Sequence, residues 1–236
     1  MRKTHLLFSM LGALGLSACS WDGVDGNGHR VERERDVDAF TRVRSDCDLD
    51  VELTQSDAQS VLVSIDSNLQ HLVHTYVEDE VLHVELDADV DDIVNGPHVR
   101  VAVPELAAAK LAGAGSMYLS FDQPQTPLDL YLSGSGDLRF EDRSAALGAY
   151  LSGSGEVRLA GEASDVDLEL SGSGEIRAKD LLAESGTLDL SGSGEISASV
   201  SESVRVSLSG SGEIELYGDP TIDEYRHTGS GDLVRR

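Results

Sequence analysis

Leu151-Ser-Gly-Ser-Gly-Glu-Val157 decides the fold, because the phrase recurs. Leu-Ser-Gly-Ser-Gly-acid-apolar starts again at Leu132, Leu170, Leu190 and Leu208. A looser copy, Leu111-Ala-Gly-Ala-Gly-Ser116, precedes the series, and a degenerate one, His227-Thr-Gly-Ser-Gly-Asp-Leu233, follows it. Successive copies are 21, 19, 19, 20, 18 and 19 residues apart. A period this regular marks stacked structural repeats.

The residues around each phrase alternate. Leu128, Leu130 and Leu132 are apolar with polar neighbours, as are Val166, Leu168 and Leu170, and Val204, Val206 and Leu208. After the glycines come Leu138 and Phe140, Val157 and Leu159, Ile214 and Leu216. A period of two predicts strands, and no unit carries a helical period. A unit this short cannot bury its apolar side alone, but it can do so against its neighbours. The expected fold is therefore all-β: a β-solenoid with coils of about 19 residues. Helical repeats are longer, propeller blades need about 40 residues, and the leucine-rich-repeat signature is absent.

Two readings of the glycines stay open. Alternation carried through the phrase would turn Leu132, Gly134, Gly136 and Leu138 inward, where glycine lets the walls approach. Otherwise Gly-Ser-Gly is a corner that requires positive φ.

Stacking places equivalent residues about 4.8 Å apart. Asp137, Glu156, Glu175, Glu195, Glu213 and Asp232 then form an acidic column. Unit charges at that spacing repel by roughly 0.9 kcal/mol in water. Arg139, Arg158 and Arg177, two residues on, answer part of this; Ser197 and Glu215 do not. The column offers oxygen ligands to Ca²⁺ or another cation, and is equally read as a solvated face that opposes aggregation. No other cofactor is indicated. The nine-residue calcium-binding repeat spaces its Asp differently, so that match fails. Two serine columns run beside the acids: Ser133, Ser152, Ser171, Ser191 and Ser209, and Ser135, Ser154, Ser173, Ser193, Ser211 and Ser230. Such a hydroxyl strip either holds a glycan or surface polymer by many weak contacts or merely fills turns.

Composition narrows the partners. Of 236 residues, 18 are Lys or Arg and 43 are Asp or Glu, for a net charge of −25. So few cations argue against nucleic acid. The chain is too apolar, at 40% hydrophobic residues, to be wholly disordered.

The first residues, Met-Arg2-Lys3 and then an apolar run from Leu6 to Leu16, read as a secretory signal too short to span a bilayer. Leu16-Ser-Ala-Cys19 resembles a bacterial lipobox, which implies cleavage after residue 18 and lipidation of Cys19. Ser20 after the cysteine favours the outer membrane under the enterobacterial sorting rule. The expected organisation is a lipoprotein signal peptide (1–18), a lipidated tether (19–34, rich in Gly and Asp), irregular N-terminal coils (35–110) and the regular solenoid (111–236). Without Arg2 and Lys3 the charge is about −27, so anionic headgroups repel the folded body, which should stand off the membrane. If Cys19 is lipidated, Cys47 has no partner, and it reads as a small apolar residue in the alternating stretch Val43 to Leu53.

Further candidate strands are Val61–Ile65, Val81–Leu86 and Val99–Val103. This order resembles the auto-transporter adhesin head, or GIN domain, family. The motifs that carry the resemblance are Val37-Asp-Ala-Phe40-Thr-Arg-Val43, Asp50-Val-Glu-Leu53, Val61-Leu-Val63, Asp66-Ser-Asn68-Leu69, Leu82-His-Val84 and Val99-Arg-Val101-Ala-Val103-Pro104-Glu-Leu106, then the Gly-Ser-Gly series. The resemblance spans about residues 35–233. It implies a right-handed, mostly parallel β-helix, with less regular first coils, on an envelope or surface protein. It carries no catalytic residues.

Catalytic grammar is sparse: no Gly-x-Ser-x-Gly, Walker or HExxH motif occurs. His71 and His74, with His83 beyond, have weak metal spacing, and Asp87, Asp89, Asp91 and Asp92 form an acidic loop able to take Ca²⁺ or simply to be solvated. The leading expectation is a non-enzymatic, lipid-anchored binding or structural protein of the envelope. The alternatives are a polysaccharide lyase or hydrolase on the same fold, and a periplasm-facing signalling component.

Overall fold

A computed structural model describes residues 24–46, 48–87, 96–121 and 127–236. The signal, Cys19, Cys47 and Asp89, Asp91 and Asp92 lie outside the described residues. Among the described residues there are only strands and their connections: β1 (Arg30–Glu34), β2 (Arg42–Ser45), β3 (Asp50–Gln55), β4 (Ser60–Asp66), β5 (Val73–Glu78), β6 (Val81–Leu86), β7 (His98–Val103), β8 (Ala108–Gly113), β9 (Ser116–Ser120), β10 (Leu128–Gly134), β11 (Asp137–Gly153), β12 (Glu156–Gly172), β13 (Glu175–Gly192), β14 (Glu195–Gly210), β15 (Glu213–Tyr217), β16 (Thr221–Gly229) and β17 (Asp232–Arg235). They form a mostly parallel β-solenoid, as the repeat predicts.

Each regular coil has two walls. In one wall β8, β10 and the second halves of β11 to β14 stack, ending on β16. In the other, β9, the first halves of β11 to β14, β15 and β17 stack. Register is exact at the repeat: Leu132, Leu151, Leu170, Leu190 and Leu208 are consecutive partners. Both walls turn these alternating residues inward into one continuous core, and Leu132, Leu151, Leu168, Ile176 and Ile214 are all buried.

The two glycines of each phrase have different jobs, so both readings of the motif hold, each at one position. Gly153 begins the corner with φ 137°, a backbone conformation that costs non-glycine residues energy. Gly155 is buried, and a Cβ there would lie 2.4 Å from the Gly136 carbonyl oxygen and 2.9 Å from a Leu132 methyl. The ladder continues round the corner: the Ser154 and Gly155 N–H groups both donate to the Gly134 carbonyl, at 3.0 and 3.1 Å. Close coil approach therefore needs glycine at both positions, and the serine between them is left outside.

The front end departs from a simple stack. The stretch Val43 to Leu53, read as one alternating segment, is divided between β2 and β3, which lie in different walls. The β2–β3 pair sits between β6–β7 on one side and β8–β9 on the other. Spatial order therefore differs from chain order. Antiparallel strands close this end: β4 joins β1 to β7, and β5 pairs with β6. The β5–β6 hairpin turns on Asp79 and Glu80, both at positive φ, 49° and 61°, the geometry that matches strand twist in a two-residue turn. The β1 strand lies within the span whose composition reads as tether.

Candidate functional site

The corner serines Ser135, Ser154, Ser173, Ser193 and Ser211 are all exposed. They stand beside Asp137, Glu156, Glu175 and Glu195 and Glu213 in one open furrow of about 530 Å³ along the regular coils. The structure thus brings together the serine and acid columns anticipated from the repeat. The furrow follows directly from the glycines: their corners expose the hydroxyl and start the next strand with an outward carboxylate.

The acids are not equivalent. Glu156 lies under two guanidinium groups, with Arg158 Nε 2.5 Å and Arg177 Nη1 2.6 Å from its Oε1. Arg177 also pairs with Glu175. Glu195 has no arginine two residues on, because Ser197 stands there. Partial burial raises its pKa, and the charges of Glu175, Glu215 and Glu213 raise it further. Glu215, which stands where an arginine would answer Glu213, is itself paired from the next coil: Arg236 Nη2 lies 2.5 Å from its Oε1. That hydrogen bond, with one from Tyr217, holds the Glu215 carboxyl below its usual value.

The raised pKa of Glu195 makes a signed prediction. The folded state holds this proton more tightly than the unfolded chain does. Its contribution to stability is therefore full at low pH and lost as pH rises through the folded pKa. Glu195→Gln should stabilise the protein at neutral pH by about 0.5 kcal/mol, the scale of a like-charge pair on neighbouring strands. The gain should vanish below about pH 4. Thermal melts of both proteins across this range provide the check.

A second concavity, of about 820 Å³, lies at the opposite corners and is lined by Arg143, Glu162, Leu182, Val200 and Tyr217, among others. Leu182 is 63% exposed there, beside a register shift in β13 that leaves Leu181 buried instead. The longer 20-residue step of that coil marks it in the sequence, but not the direction in which the leucine turns. On one wall, Tyr131 and Tyr150 stack with ring centroids 4.9 Å apart, and the Tyr150 hydroxyl lies 3.2 Å from Asp167 Oδ2. Burial raises the pKa of both Tyr150 and Asp167. Their separation along the chain conceals this pair until the coils are registered.

The histidines divide. His71 is exposed and joins no metal-holding group among the described residues. His74 Nε2 lies 2.8 Å from Asp87 Oδ2. His83 lies with Asp46 and Glu85, each residue offering a ligand atom within 4.8 Å of the others. His71 and His74, three residues apart, are thus not in one such group, while His83 stands with two carboxylates.

Among curated proteins nothing matches the chain. Solved structures share its fold. A "putative adhesin" from Bacteroides fragilis is 23% identical with a TM-score of 0.81, covering 91% of this chain and 100% of its own. A "putative adhesin" from Parabacteroides merdae is 21% identical with a TM-score of 0.71, covering 91% and 99%. A "putative lipid binding protein" from Parabacteroides distasonis is 24% identical with a TM-score of 0.70, covering 90% and 99%. The family described as "Putative auto-transporter adhesin, head GIN domain" matches over residues 39–220, and the chain belongs to that family.

Proposed function

We propose that this protein is a non-enzymatic, adhesin-like binding protein of the cell envelope, held to the outer membrane by a lipid on Cys19. Its corner furrow engages a hydroxyl-rich, uncharged surface polymer or glycan. The observation that carries this reading is the row of exposed serines in coil register, each beside a carboxylate, along one open furrow. An extended polymer meets a serine hydroxyl beside a carboxylate at every coil, and many weak contacts sum to useful affinity. The acidic column disfavours polyanions, which it would repel. The lipid anchor rests on Leu16-Ser-Ala-Cys19 alone.

The triple substitution Ser154→Ala, Ser173→Ala, Ser193→Ala tests the furrow. Each hydroxyl is worth about 1 kcal/mol to a bound ligand, so the three together should weaken binding on the order of 100-fold. Stability should change by less than about 0.5 kcal/mol, since the hydroxyls are at the surface. Binding of the wild type and variant to neutral glycan arrays and to intact cells measures the effect. Equal binding would remove the furrow from the account.

A further inference from the structure

We propose that Asp46, His83 and Glu85 form a binding site for Zn²⁺ at the N-terminal end of the solenoid, distinct from the acidic column. Arg44 on β2 is the registered partner of His83 on β6, so Asp46, two residues on, stands beside Glu85. One imidazole nitrogen and two carboxylate oxygens, all within 4.8 Å of one another, converge from these two segments. The group needs no loop to close over it, because two neighbouring parallel strands place it.

Groups behind these residues hold them in place. Tyr76 on β5 stacks on His83, with centroids 4.8 Å apart and planes 2° from parallel. Its hydroxyl donates a 2.7 Å hydrogen bond to Glu85 Oε1. One tyrosine thus fixes the ring and orients the carboxylate, the role of an outer-shell partner at a metal centre. His74, the registered neighbour of Glu85, is paired with Asp87.

The donor set selects the ion. A nitrogen with two carboxylates suits Zn²⁺, with water completing a tetrahedron. Ca²⁺ and Mg²⁺ prefer all-oxygen shells of six or more ligands. Arg44 opposes the ion: its Nε lies 2.5 Å from Asp46 Oδ2. Zn²⁺ must share or displace that contact, so removing the arginine charge strengthens binding.

Calorimetric titration of the full-length protein with Zn²⁺, in about 0.15 M salt to screen loose condensation on the acidic faces, tests the site. A single saturable site is expected. His83→Phe keeps a ring against Tyr76 and removes the nitrogen, and Glu85→Gln removes a ligand charge without changing shape; each should abolish saturable binding. Tyr76→Phe should weaken it roughly tenfold, and Arg44→Gln should strengthen it roughly tenfold. His74→Phe should leave it intact. Metal-free melts of each variant establish that it is folded. Absence of saturable binding to the wild type would overturn the site. So would wild-type affinity in folded His83→Phe or Glu85→Gln, or a loss confined to His74→Phe.

Discussion

Gly174→Ala should destabilise the protein by about 3 kcal/mol, although it adds one methyl group. The added carbon would lie 2.5 Å from the Gly155 carbonyl oxygen, 2.8 Å from a Leu151 methyl and 3.2 Å from the Gly155 nitrogen. Two of these are backbone atoms of the preceding coil, and they cannot swing aside as a side-chain end could. Relief requires the coils to separate. That would strain the bond from the Glu175 N–H to the Gly155 carbonyl, 3.1 Å long, and those from Ser173 and Gly174 to Gly153, both 3.0 Å. Ser173→Ala, one residue away and exposed, should change stability by less than about 0.5 kcal/mol. Urea unfolding of both variants measures the contrast. Equal, small effects would mean that the coils do not approach as closely as described.

Phe140→Ala should cost about 3–5 kcal/mol. The ring is fully buried. Its registered neighbours are Leu119 before and Leu159 after, and its centroid lies 6.4 Å from that of Phe121. Truncation leaves a void between coils whose backbones are pinned by parallel ladders, so little collapse can fill it. Each coil is stabilised mainly by its two neighbours. A defect here loosens the join between the irregular front and the regular stack. Phe140→Leu, which keeps most of the apolar volume, should cost less than about 1.5 kcal/mol. Denaturation midpoints at fixed slope provide the test, and a loss under 1 kcal/mol in Phe140→Ala would contradict the packing.

These predictions rest on what the repeat made legible. Leu151-Ser-Gly-Ser-Gly recurs at a nearly fixed step, so its strands, register, serine row and acidic column are legible in the sequence itself. Parallel in-register stacking is a local rule applied repeatedly, and a sequence displays such a rule directly. The front end obeys no such rule. Nothing in the spacing of β2, β6 and β8 says that β2 inserts between the other two, because pairing there depends on distant, non-repeating partners. Asp46 and Glu85 meet only through that pairing, so no spacing along the chain brings them together with His83. Glu215 shows the same limit within the repeat: Tyr217, two residues along, donates a hydrogen bond, but the cation that pairs with it, Arg236, comes from the following coil.

The acidic column is best viewed as graded electrostatics. Where arginine stands two residues on, Glu156 and Glu175 are ion-paired. Where Ser197 stands instead, burial and the neighbouring carboxylates raise the Glu195 pKa, and Arg177 offsets only part of this. Along the furrow, Glu156 and Glu175 are thus paired with arginine, while Glu195 has no arginine two residues on.

Protease shaving of intact cells, read with an epitope near the C-terminus and a periplasmic control protein, tests the central proposal most directly. A surface adhesin-like solenoid should lose the epitope while the control stays intact. An epitope that survives until the outer membrane is permeabilised would place the body in the periplasm and contradict a role in binding polymers outside the cell.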